Sequence, residues 1–419
     1  MPVFQKIFWS FATVGGFYAL FLGALINPSI QRFALYANKI DASWIGWDAS
    51  KPETLGFAAG QITQFNVSTP DGEKLYAWHV MPVALYSKHE EEIRKQPSGP
   101  VDFKKSLAAK LLKDPESRVI INFHGNAGTV AQGHRTTTYR SLSSLPLIQS
   151  SSDPNVSGPI HLFAFDYRGF GVSTGSPTET GLITDGIAFV NYILSLGIPP
   201  NRIVLLGQSL GTAVASAVAS HFADPGNESL PKEIAVVKRK VRGLMVPEPV
   251  DFAAVILVAP FANLPDLVKS YRIMGIIPIL EPLRLYPKIQ KFLSERVVDT
   301  WFTQDRVRSL VTPKGGSGGR LRLHIIHALN DMEIPYQNAE ELFFVAANAY
   351  KETSGSLYEF RESLRERRKA NGIGAMETLE VGDNRKVFLE VVGAGGHNLV
   401  MTYTPVVLAV LKAFEEVSQ

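Results

Sequence analysis

The chain has 419 residues, of which 45% are hydrophobic and 19% are charged, and this balance excludes a disordered protein. Its net charge of +3 comes from scattered Lys and Arg residues, so we expect no nucleic-acid partner. The absence of cysteine excludes thiol nucleophiles and disulfides, and the nine histidines show no metal-ligand spacing, so we expect neither metal nor cofactor and consider serine the leading candidate nucleophile.

The first element is an uncharged apolar run from Ile7 to Ile26, which is long enough to span a bilayer as a helix. It lacks the polar face of a soluble helix, so we predict an uncleaved single-pass anchor with a juxtamembrane segment over residues 1–40. A cleavable signal peptide is the alternative, although the run is longer than a usual signal core. Aromatic residues up to residue 59 would lie at the lipid headgroups or pack against the following domain.

The orientation of the anchor is left open, because Lys6 on one side nearly balances Arg32 and Lys39 on the other. A single-pass protein of the endoplasmic reticulum or another endomembrane is expected. Three glycosylation sequons would fit a lumenal catalytic domain; they begin at Asn66, Asn155 and Asn227.

One large domain is predicted for residues 41–419. It opens with a β-hairpin over residues 61–80, where hydrophobic alternation flanks the turn from Thr69 to Gly72. A charged surface insertion follows at residues 84–116. Short apolar strands then alternate with helical segments, which predicts a mostly parallel sheet with helices on both faces. Six such strands are expected, at residues 119–123, 162–165, 203–206, 254–258, 321–326 and 387–392.

Two segments interrupt this alternation. Residues 224–252 carry the basic run Lys238 to Arg242 and predict a surface loop. Residues 264–313 are apolar and helical, with proline breaks, and follow the carboxyl end of a strand. This second segment predicts a helical cap over the active site or a surface that dips into lipid, and a plain pair of core helices is the alternative.

The pentapeptide from Gly207 to Gly211 reads G-x-S-x-G between an apolar strand and an alanine-rich helix. This pattern predicts a nucleophile elbow, in which a sharp strand-to-helix turn exposes the hydroxyl of Ser209 and glycines permit the close backbone approach. A tight turn without catalytic function is the alternative reading.

Two further strand ends supply the groups that a serine nucleophile needs. Asp331 lies in the turn after the strand at 321–326 and is the predicted acid, with Glu333 in reserve. His397 follows the last strand on a glycine-rich loop and is the predicted base. The order Ser, Asp, His along the chain is typical of one particular fold among those that carry such a triad.

A further glycine-rich segment, His124 to Gly128, follows the first parallel strand and is called here the HGNAG loop. A tetrahedral intermediate needs two backbone N–H donors. We expect one from Leu210, the residue after the nucleophile, and the other from Asn126 or Ala127.

These strings together resemble the α/β-hydrolases, and within them the membrane-anchored serine lipases of the α/β-hydrolase-domain group, which act on lysophospholipids and monoacylglycerols. The resemblance runs from about Ile62 to the C-terminus and implies Ser209 as nucleophile, Asp331 as acid, His397 as base and the HGNAG loop as part of the oxyanion hole. It also implies a structural loop at residues 166–169. The chain departs from the family in insertions at residues 84–116, 224–252 and 315–319. The strings that carry the resemblance are HGNAGT, FDYRGFGVSTG, GQSLGT, APF, HALNDMEIPYQNAEELF and GGH.

The sequence therefore predicts an α/β-hydrolase fold and a membrane-anchored serine hydrolase that cleaves carboxylic esters, with a lipid ester as substrate and the bilayer as partner. A peptidase or an acyltransferase with the same triad is the alternative within enzymes, because the residues of the triad do not distinguish these reactions. A binding protein without catalytic function is the alternative outside them. The oligomeric state is not predicted.

Overall fold

The computed structural model of the protein describes residues 2–40, 46–145, 148–149, 157–234, 249–273, 275–312, 319–350, 355–382 and 384–415. Several predicted features lie wholly or partly outside these residues: the sequon at Asn155, the surface loop 224–252 with its basic run 238–242, the cap segment 264–313 at positions 274 and 313, and the insertion at 315–319.

A mixed sheet forms the centre of the fold. Within the described residues it has nine strands in the spatial order β1-β2-β4-β3-β5-β6-β7-β9-β8. The strands are β1 (Ile62–Ser68), β2 (Lys74–Val80), β3 (Arg118–Phe123), β4 (Ile160–Phe165), β5 (Ile203–Gln208), β6 (Ala254–Val258), β7 (Leu321–Ala328), β8 (Met376–Val381) and β9 (Arg385–Val392).

Six neighbouring strands, from β4 to β9 in spatial order, are parallel, and they are the six predicted from the sequence. The predicted hairpin is also present, since β1 and β2 pair in antiparallel register from Ile62 opposite Val80 to Ser68 opposite Lys74. The edge strand β8, which pairs antiparallel with β9, was not predicted. The carboxyl ends of the six parallel strands therefore meet at one edge, where the candidate site lies.

Helices cover both faces of the sheet. Alternate residues of β3 belong to two different hydrophobic clusters, because successive side chains of a strand point to opposite faces. This arrangement confirms the predicted fold class. The helices are α1 (Pro2–Ala24), α2 (Pro28–Tyr36), α3 (Val83–Ile93), α4 (Leu107–Leu112), α5 (His134–Ser143), α6 (Glu179–Leu194), α7 (Leu210–Ala223), α8 (Leu264–Leu267), α9 (Pro287–Ser294), α10 (Thr303–Val311), α11 (Gln337–Tyr350), α12 (Leu357–Asn371), α13 (Gly396–Leu399) and α14 (Thr404–Glu415).

The two N-terminal helices have different environments. The apolar helix α1 meets the length and hydropathy expected of a membrane span and is almost entirely exposed. Helix α2 begins at Pro28, where the Asn27 side chain accepts hydrogen bonds from the N–H groups of Ser29 and Ile30. Tyr36, the last residue of α2, is fully buried in the main hydrophobic cluster. Helix α2 therefore packs against the domain that the sequence predicts for residues 41–419.

The aromatic residues after α1 divide between the two expected environments. Tyr36 and Phe57 are buried in the core, whereas Phe33 is 65% exposed. The sequon at Asn227 occupies a packed position, because its side chain is buried and its amide donates a hydrogen bond to Ser309 (2.7 Å). A glycan on Asn227 would have to displace that contact.

The predicted cap is shorter than the sequence indicated. Residues 264–300 form α8, a short antiparallel pair (Arg272–Ile273 with Ile277–Pro278), a 3-10 helix (Glu281–Leu285) and α9. Helix α10 instead contributes Val307 and Leu310 to the main core, so it belongs to a helical layer of the domain. The insertion therefore ends before Thr303, since the residues that follow bury an apolar face against the domain.

Candidate active site

Ser209 lies at the junction of β5 and α7 with φ +52° and ψ −121°. A non-glycine residue in such a conformation costs about 1–3 kcal/mol and persists only where its surroundings hold it. Here the Ser209 N–H donates to the carbonyl of Val258 (3.0 Å). The turn is tight, because a Cβ atom on Gly211 would lie 2.0 Å from the Phe123 carbonyl oxygen and one on Gly207 would lie 2.4 Å from that of Gly211. The structure thus gives Ser209 the geometry of an elbow.

Asp331 and His397, which are 66 residues apart, are joined by a hydrogen bond of 2.8 Å between Oδ2 and Nδ1. The other carboxylate oxygen, Oδ1, accepts from the N–H groups of Glu333 and Ile334 (both 2.9 Å). Because the carboxylate is an acceptor, Nδ1 of His397 carries the hydrogen and Nε2 of the neutral ring is free to accept a proton. Asp331, rather than the reserve Glu333, is therefore the carboxylate that orients this histidine.

A second histidine, His327, also contacts Asp331. Its Nε2 lies 3.1 Å from Asp331 Oδ2 and 2.9 Å from the Ile334 carbonyl, and both are acceptors, so Nε2 must donate. The sequence reasoning did not identify His327, whose only signal was its place near the end of β7. Despite this pairing of acid and histidines, no group that could hold a metal ion is found in the described part of the chain.

The charges of Asp331 and His397 are set by these contacts. Burial by itself would raise the pKa of Asp331, but hydrogen bonds from His327 and His397 outweigh it and hold the pKa below its usual value. Burial by itself would lower the pKa of His397, yet the hydrogen bond and charge of Asp331, with the charge of Glu333, leave that pKa above its usual value. Asp331 is therefore ionised and favours the imidazolium that a general base becomes.

Polar contacts tie the His397 loop to its neighbours. Gln208, the residue before Ser209, donates from Nε2 to the His397 carbonyl (3.2 Å). Its Oε1 accepts from Nε2 of His134 (3.0 Å), and burial lowers the pKa of His134 to about 4, so this ring is neutral. On the other side, the Gly396 N–H donates to Asn330 Oδ1 (2.8 Å). The loop that carries His397 is thus attached to the elbow strand and to the loop that carries Asp331.

The HGNAG loop lies directly against the elbow. A Cβ atom on Gly125 would lie 3.3 Å from the Cβ of Ser209. Ala127 cannot supply an oxyanion donor in this conformation, because its N–H already donates to the Tyr36 carbonyl (2.9 Å). The N–H groups of Asn126 and Leu210 have no hydrogen-bond partner among the residues that the structure describes. Asn126 and Leu210 therefore remain the candidate pair of donors. The expectation that Ala127 could take the place of Asn126 does not fit this conformation.

Arg135 also holds the HGNAG loop, and the sequence reasoning did not identify it. This buried guanidinium donates to the carbonyls of Gly125 (3.1 Å), Asn126 (3.0 Å) and Ala127 (2.8 Å) through Nη2, and to that of Thr129 (2.6 Å) through Nη1. Four consecutive or nearly consecutive carbonyls thus face one cation. No spacing in the sequence indicates this role.

The cap contributes Tyr271 to the same region. Burial raises the pKa of Tyr271 to about 12, so the phenol stays neutral, and the Asn126 side chain is close enough to lower that pKa in part. Asp331 and Glu333 are close enough to contribute to that shift. The cap therefore lies near the HGNAG loop and near the loop that carries Asp331.

The loop at residues 166–169 has structural contacts, as the resemblance implies. Asp166 accepts from the Val130 N–H (2.7 Å). Arg168 donates to Asp185 (2.9 Å from Nε to Oδ1) and to Asp71 (2.7 Å from Nη1 to Oδ2). These ion pairs tie the loop to α6 and to the turn of the first hairpin.

The sequence and the fold of the chain are similar to those of known proteins. The sequence model of the "Alpha/beta hydrolase family" matches residues 123–407, a range that includes Ser209, Asp331 and His397. The chain is similar to the "Lysophosphatidylserine lipase ABHD12" of Danio rerio (26% identical over 338 residues, 80% of this chain and 71% of the relative). It is also similar to that of Xenopus tropicalis (24% over 327 residues, 77% and 67%) and to the human "Protein ABHD12B" (31% over 237 residues, 56% and 51%).

Similar solved structures include an esterase of Pyrococcus furiosus, which is 14% identical with a TM-score of 0.44 and covers 87% of this chain and 93% of its own. Another is an alpha-beta hydrolase of Vibrio vulnificus, which is 13% identical with a TM-score of 0.46 and covers 91% and 93%.

Proposed function

The chain belongs to the alpha/beta hydrolase family, and we propose that it is a membrane-anchored serine hydrolase that cleaves carboxylic ester bonds of lipids, of the lysophospholipid or monoacylglycerol type. The observation that carries this proposal is the hydrogen bond between His397 and Asp331 beside a serine held in an elbow. Together these side chains supply a nucleophile, a base and an orienting acid.

In the first half of the reaction, Oγ of Ser209 attacks the acyl carbonyl carbon while Nε2 of His397 takes the hydroxyl proton. Asp331 stabilises the imidazolium through Nδ1. The carbonyl oxygen becomes an oxyanion, and the N–H groups of Asn126 and Leu210 donate to it. Collapse of the tetrahedral intermediate breaks the ester bond, and the leaving alcohol receives the proton from His397.

In the second half, water attacks the acyl group on Ser209, and His397 takes a proton from this water. The same two amides stabilise the second oxyanion. Collapse releases the carboxylic acid and returns the proton to Ser209. Each half-reaction uses His397 once as base and once as acid, which a ring oriented through Nδ1 can do without turning.

A lipid substrate is supported by two independent features. Several relatives are named lysophosphatidylserine lipases, although at 23–26% identity. The chain also presents α1, with exposed residues such as Phe4 (81%), Phe11 (75%) and Phe17 (69%), and a cap with exposed apolar side chains. An anchor of this length spans the hydrocarbon core of a bilayer and places the site where lipid esters are concentrated.

The test compares wild type with Ser209→Ala in detergent-solubilised membranes. A fluorophosphonate probe should label wild type and leave Ser209→Ala unlabelled, because the probe needs the activated hydroxyl. Wild type should hydrolyse lysophospholipid or monoacylglycerol and Ser209→Ala should not. A folded wild type that takes no label would contradict the enzyme, and hydrolysis of peptides without hydrolysis of lipid esters would contradict the substrate class.

The anchor is tested separately by extraction of membranes with alkaline carbonate. If α1 spans the bilayer, the full chain should stay in the membrane pellet. The transfer of about 20 apolar residues from the bilayer into water is too unfavourable in free energy to occur under these conditions. Release into the supernatant would contradict the single-pass arrangement.

A further inference from the structure

The last turn of α2 makes direct contact with the HGNAG loop. The Ala127 N–H donates to the Tyr36 carbonyl (2.9 Å), and Nδ2 of Asn126 donates to the Leu35 carbonyl (3.0 Å). The last carbonyls of a helix have no partner within the helix and must find one outside it. Here the partners are provided by two neighbouring residues of the loop that follows β3. Hydrogen bonds from the HGNAG loop therefore satisfy the last carbonyls of α2.

These contacts determine where the Asn126 N–H points. The Gly125 carbonyl is held by Arg135 and lies 2.6 Å from Nδ1 of His124. In a trans peptide the carbonyl of one residue and the N–H of the next point in opposite directions. The Asn126 N–H therefore points away from Arg135. The next amide, that of Ala127, is fixed by Tyr36, so the peptide planes on both sides of Asn126 are held.

The backbone of the loop needs this support. Ala127 has φ +58°, a left-handed conformation that a residue with a Cβ atom adopts at a cost. The hydrogen bond to Tyr36 on one side and the Arg135 guanidinium on the other compensate for it. A loop held on one side alone would have a lower barrier to turning the Asn126 amide.

Helix α2 is in turn fixed by one buried carboxylate, that of Asp299 at the end of the cap. Arg32 donates to it from Nε (3.0 Å) and Nη2 (3.1 Å), and the Tyr36 hydroxyl donates to it (2.9 Å). Asp299 is 5% exposed and Tyr36 is fully buried, so water screens these bonds little. Gln31 adds bonds to the backbone of Arg296 (2.7 Å) and Val298 (3.0 Å). The cap, α2 and the HGNAG loop thus form a continuous chain of contacts.

We propose that α2 is a positioning element of the oxyanion hole: by docking on Asp299 it presents the Leu35 and Tyr36 carbonyls that hold the Asn126 N–H toward the reacting carbonyl. The inference rests on the proposed function. Its consequence is that the segment joining the membrane anchor to the domain supports catalysis itself. Residues 25–27 alone separate α2 from α1, so a displacement of the anchor is transmitted to the oxyanion hole.

The inference is tested with the full chain in detergent micelles. Asn126→Ala removes the bond to Leu35 and keeps the backbone amide, while the double variant Arg32→Gln/Tyr36→Phe releases α2 from Asp299 and leaves Asn126 intact. The control is Arg367→Ala, which breaks an ion pair between α12 and β8 (3.1 Å to Glu377) and touches neither α2 nor the HGNAG loop in any bond described above. The measurements are kcat and KM for a soluble p-nitrophenyl ester, and the inhibition constant of a trifluoromethyl ketone, to which Ser209 adds to form an oxyanion.

Removal of one oxyanion donor lowers kcat about 100- to 1,000-fold, so a displaced donor should lower it about 10- to 100-fold in both test variants. KM should stay within about two-fold, and the inhibition constant should rise by the factor by which kcat falls, because both report oxyanion binding. The triple variant should be little worse than Asn126→Ala, since the changes act on one loop. Arg367→Ala should match wild type in all three measurements.

Wild-type kcat and wild-type inhibition in folded Asn126→Ala and double variants would overturn the inference. A raised KM with unchanged kcat would also overturn it, because α2 would then shape substrate binding alone. If the double variant does not fold, Asn126→Ala decides. A wild type that neither hydrolyses the ester nor takes the fluorophosphonate label contradicts the proposed function instead, so the two failures are distinguishable.

Discussion

His397 experiences opposing influences on its proton affinity. Burial disfavours the imidazolium, while the adjacent Asp331 and the nearby Glu333 favour it, and the pKa of His397 lies above the ordinary histidine value as a result. A general base acts in its neutral form, so activity is lost as the pH falls through this pKa. The raised pKa therefore places the acid limb of the activity profile above about 6.5, the ordinary histidine value.

The first prediction concerns Glu333→Gln. Loss of this carboxylate removes one contribution that raises the pKa of His397, so the acid limb of kcat/KM should move to lower pH. At alkaline pH, where His397 is neutral in both proteins, kcat should stay close to wild type, because Asp331 and not Glu333 contacts the ring. The measurement is kcat/KM against pH with a soluble ester. An unchanged midpoint, or a large loss of kcat at alkaline pH, would contradict these roles.

Residues that follow strand ends could be predicted, because parallel strands bring their carboxyl ends together whatever lies between them. Ser209, Asp331 and His397 were placed in this way. The error at Ala127 has a different origin: its amide is bound by Tyr36, which lies far earlier in the chain, and no local pattern indicates that contact. Motif spacing would not have found Arg135 either, because its role depends on carbonyls that converge only in the folded loop.

At the scale of elements, the junction of β5 and α7 depends on the absence of side chains at two positions. Helix α7 approaches β3 so closely that a Cβ atom on Gly211 would overlap the Phe123 carbonyl oxygen. Backbone atoms of a central strand cannot move aside as a flexible side chain can. Gly211 therefore determines how closely the first turn of α7 approaches β3. This distance in turn fixes the positions of Ser209 and the Leu210 amide.

The second prediction follows from that contact. Gly211→Ala should destabilise the fold by about 1–3 kcal/mol through overpacking and should lower kcat on a soluble ester at least about ten-fold, because the elbow and the Leu210 amide shift together. Gly226→Ala is the matched control, since a Cβ atom there would meet nothing closer than Asp224 Oδ1 at 3.6 Å. Thermal unfolding and kcat are the measurements. A Gly211→Ala variant with the melting temperature and kcat of wild type would contradict this role, because α7 could then move away from β3 without cost.

The six parallel strands were predicted, whereas the edge strand β8 and the position of α10 were not. The six parallel strands are covered on both faces and are therefore continuously apolar. Strand β8 is half-exposed, mixes Glu377, Thr378 and Glu380 with apolar residues without regular alternation and lies at the edge, so its pattern is weak. Helix α10 carries Arg306, which is buried in an ion pair with Glu179, and a buried charge in a helix is read from sequence as exposed.

At the scale of the molecule, the cap and helix α1 lie side by side. The Tyr18 hydroxyl donates to the Ile279 carbonyl (2.6 Å), and Tyr18 lies six residues before the end of α1. At 1.5 Å per residue this contact is about 9 Å from the end of the helix, within the hydrocarbon depth of one leaflet when α1 spans the bilayer. Nearby cap residues point apolar side chains outward, and Ile276 is 76% and Leu285 is 86% exposed. Under the proposed single-pass arrangement, the cap therefore meets the acyl region of the membrane.

The third prediction tests this contact with Ile276→Ser/Leu285→Ser. Burial of one such side chain in an apolar phase contributes about 1.5–3 kcal/mol, so losing two should lower hydrolysis of monoacylglycerol in vesicles by about ten-fold or more. Hydrolysis of a soluble ester should be unchanged, because neither side chain contacts Ser209, Asp331 or His397. The control Tyr358→Ser removes a comparably exposed (72%) side chain from α12 and should leave both activities unchanged. Equal loss on the two substrates would instead assign the cap residues to the fold of the site, and no loss on either would place the cap in water.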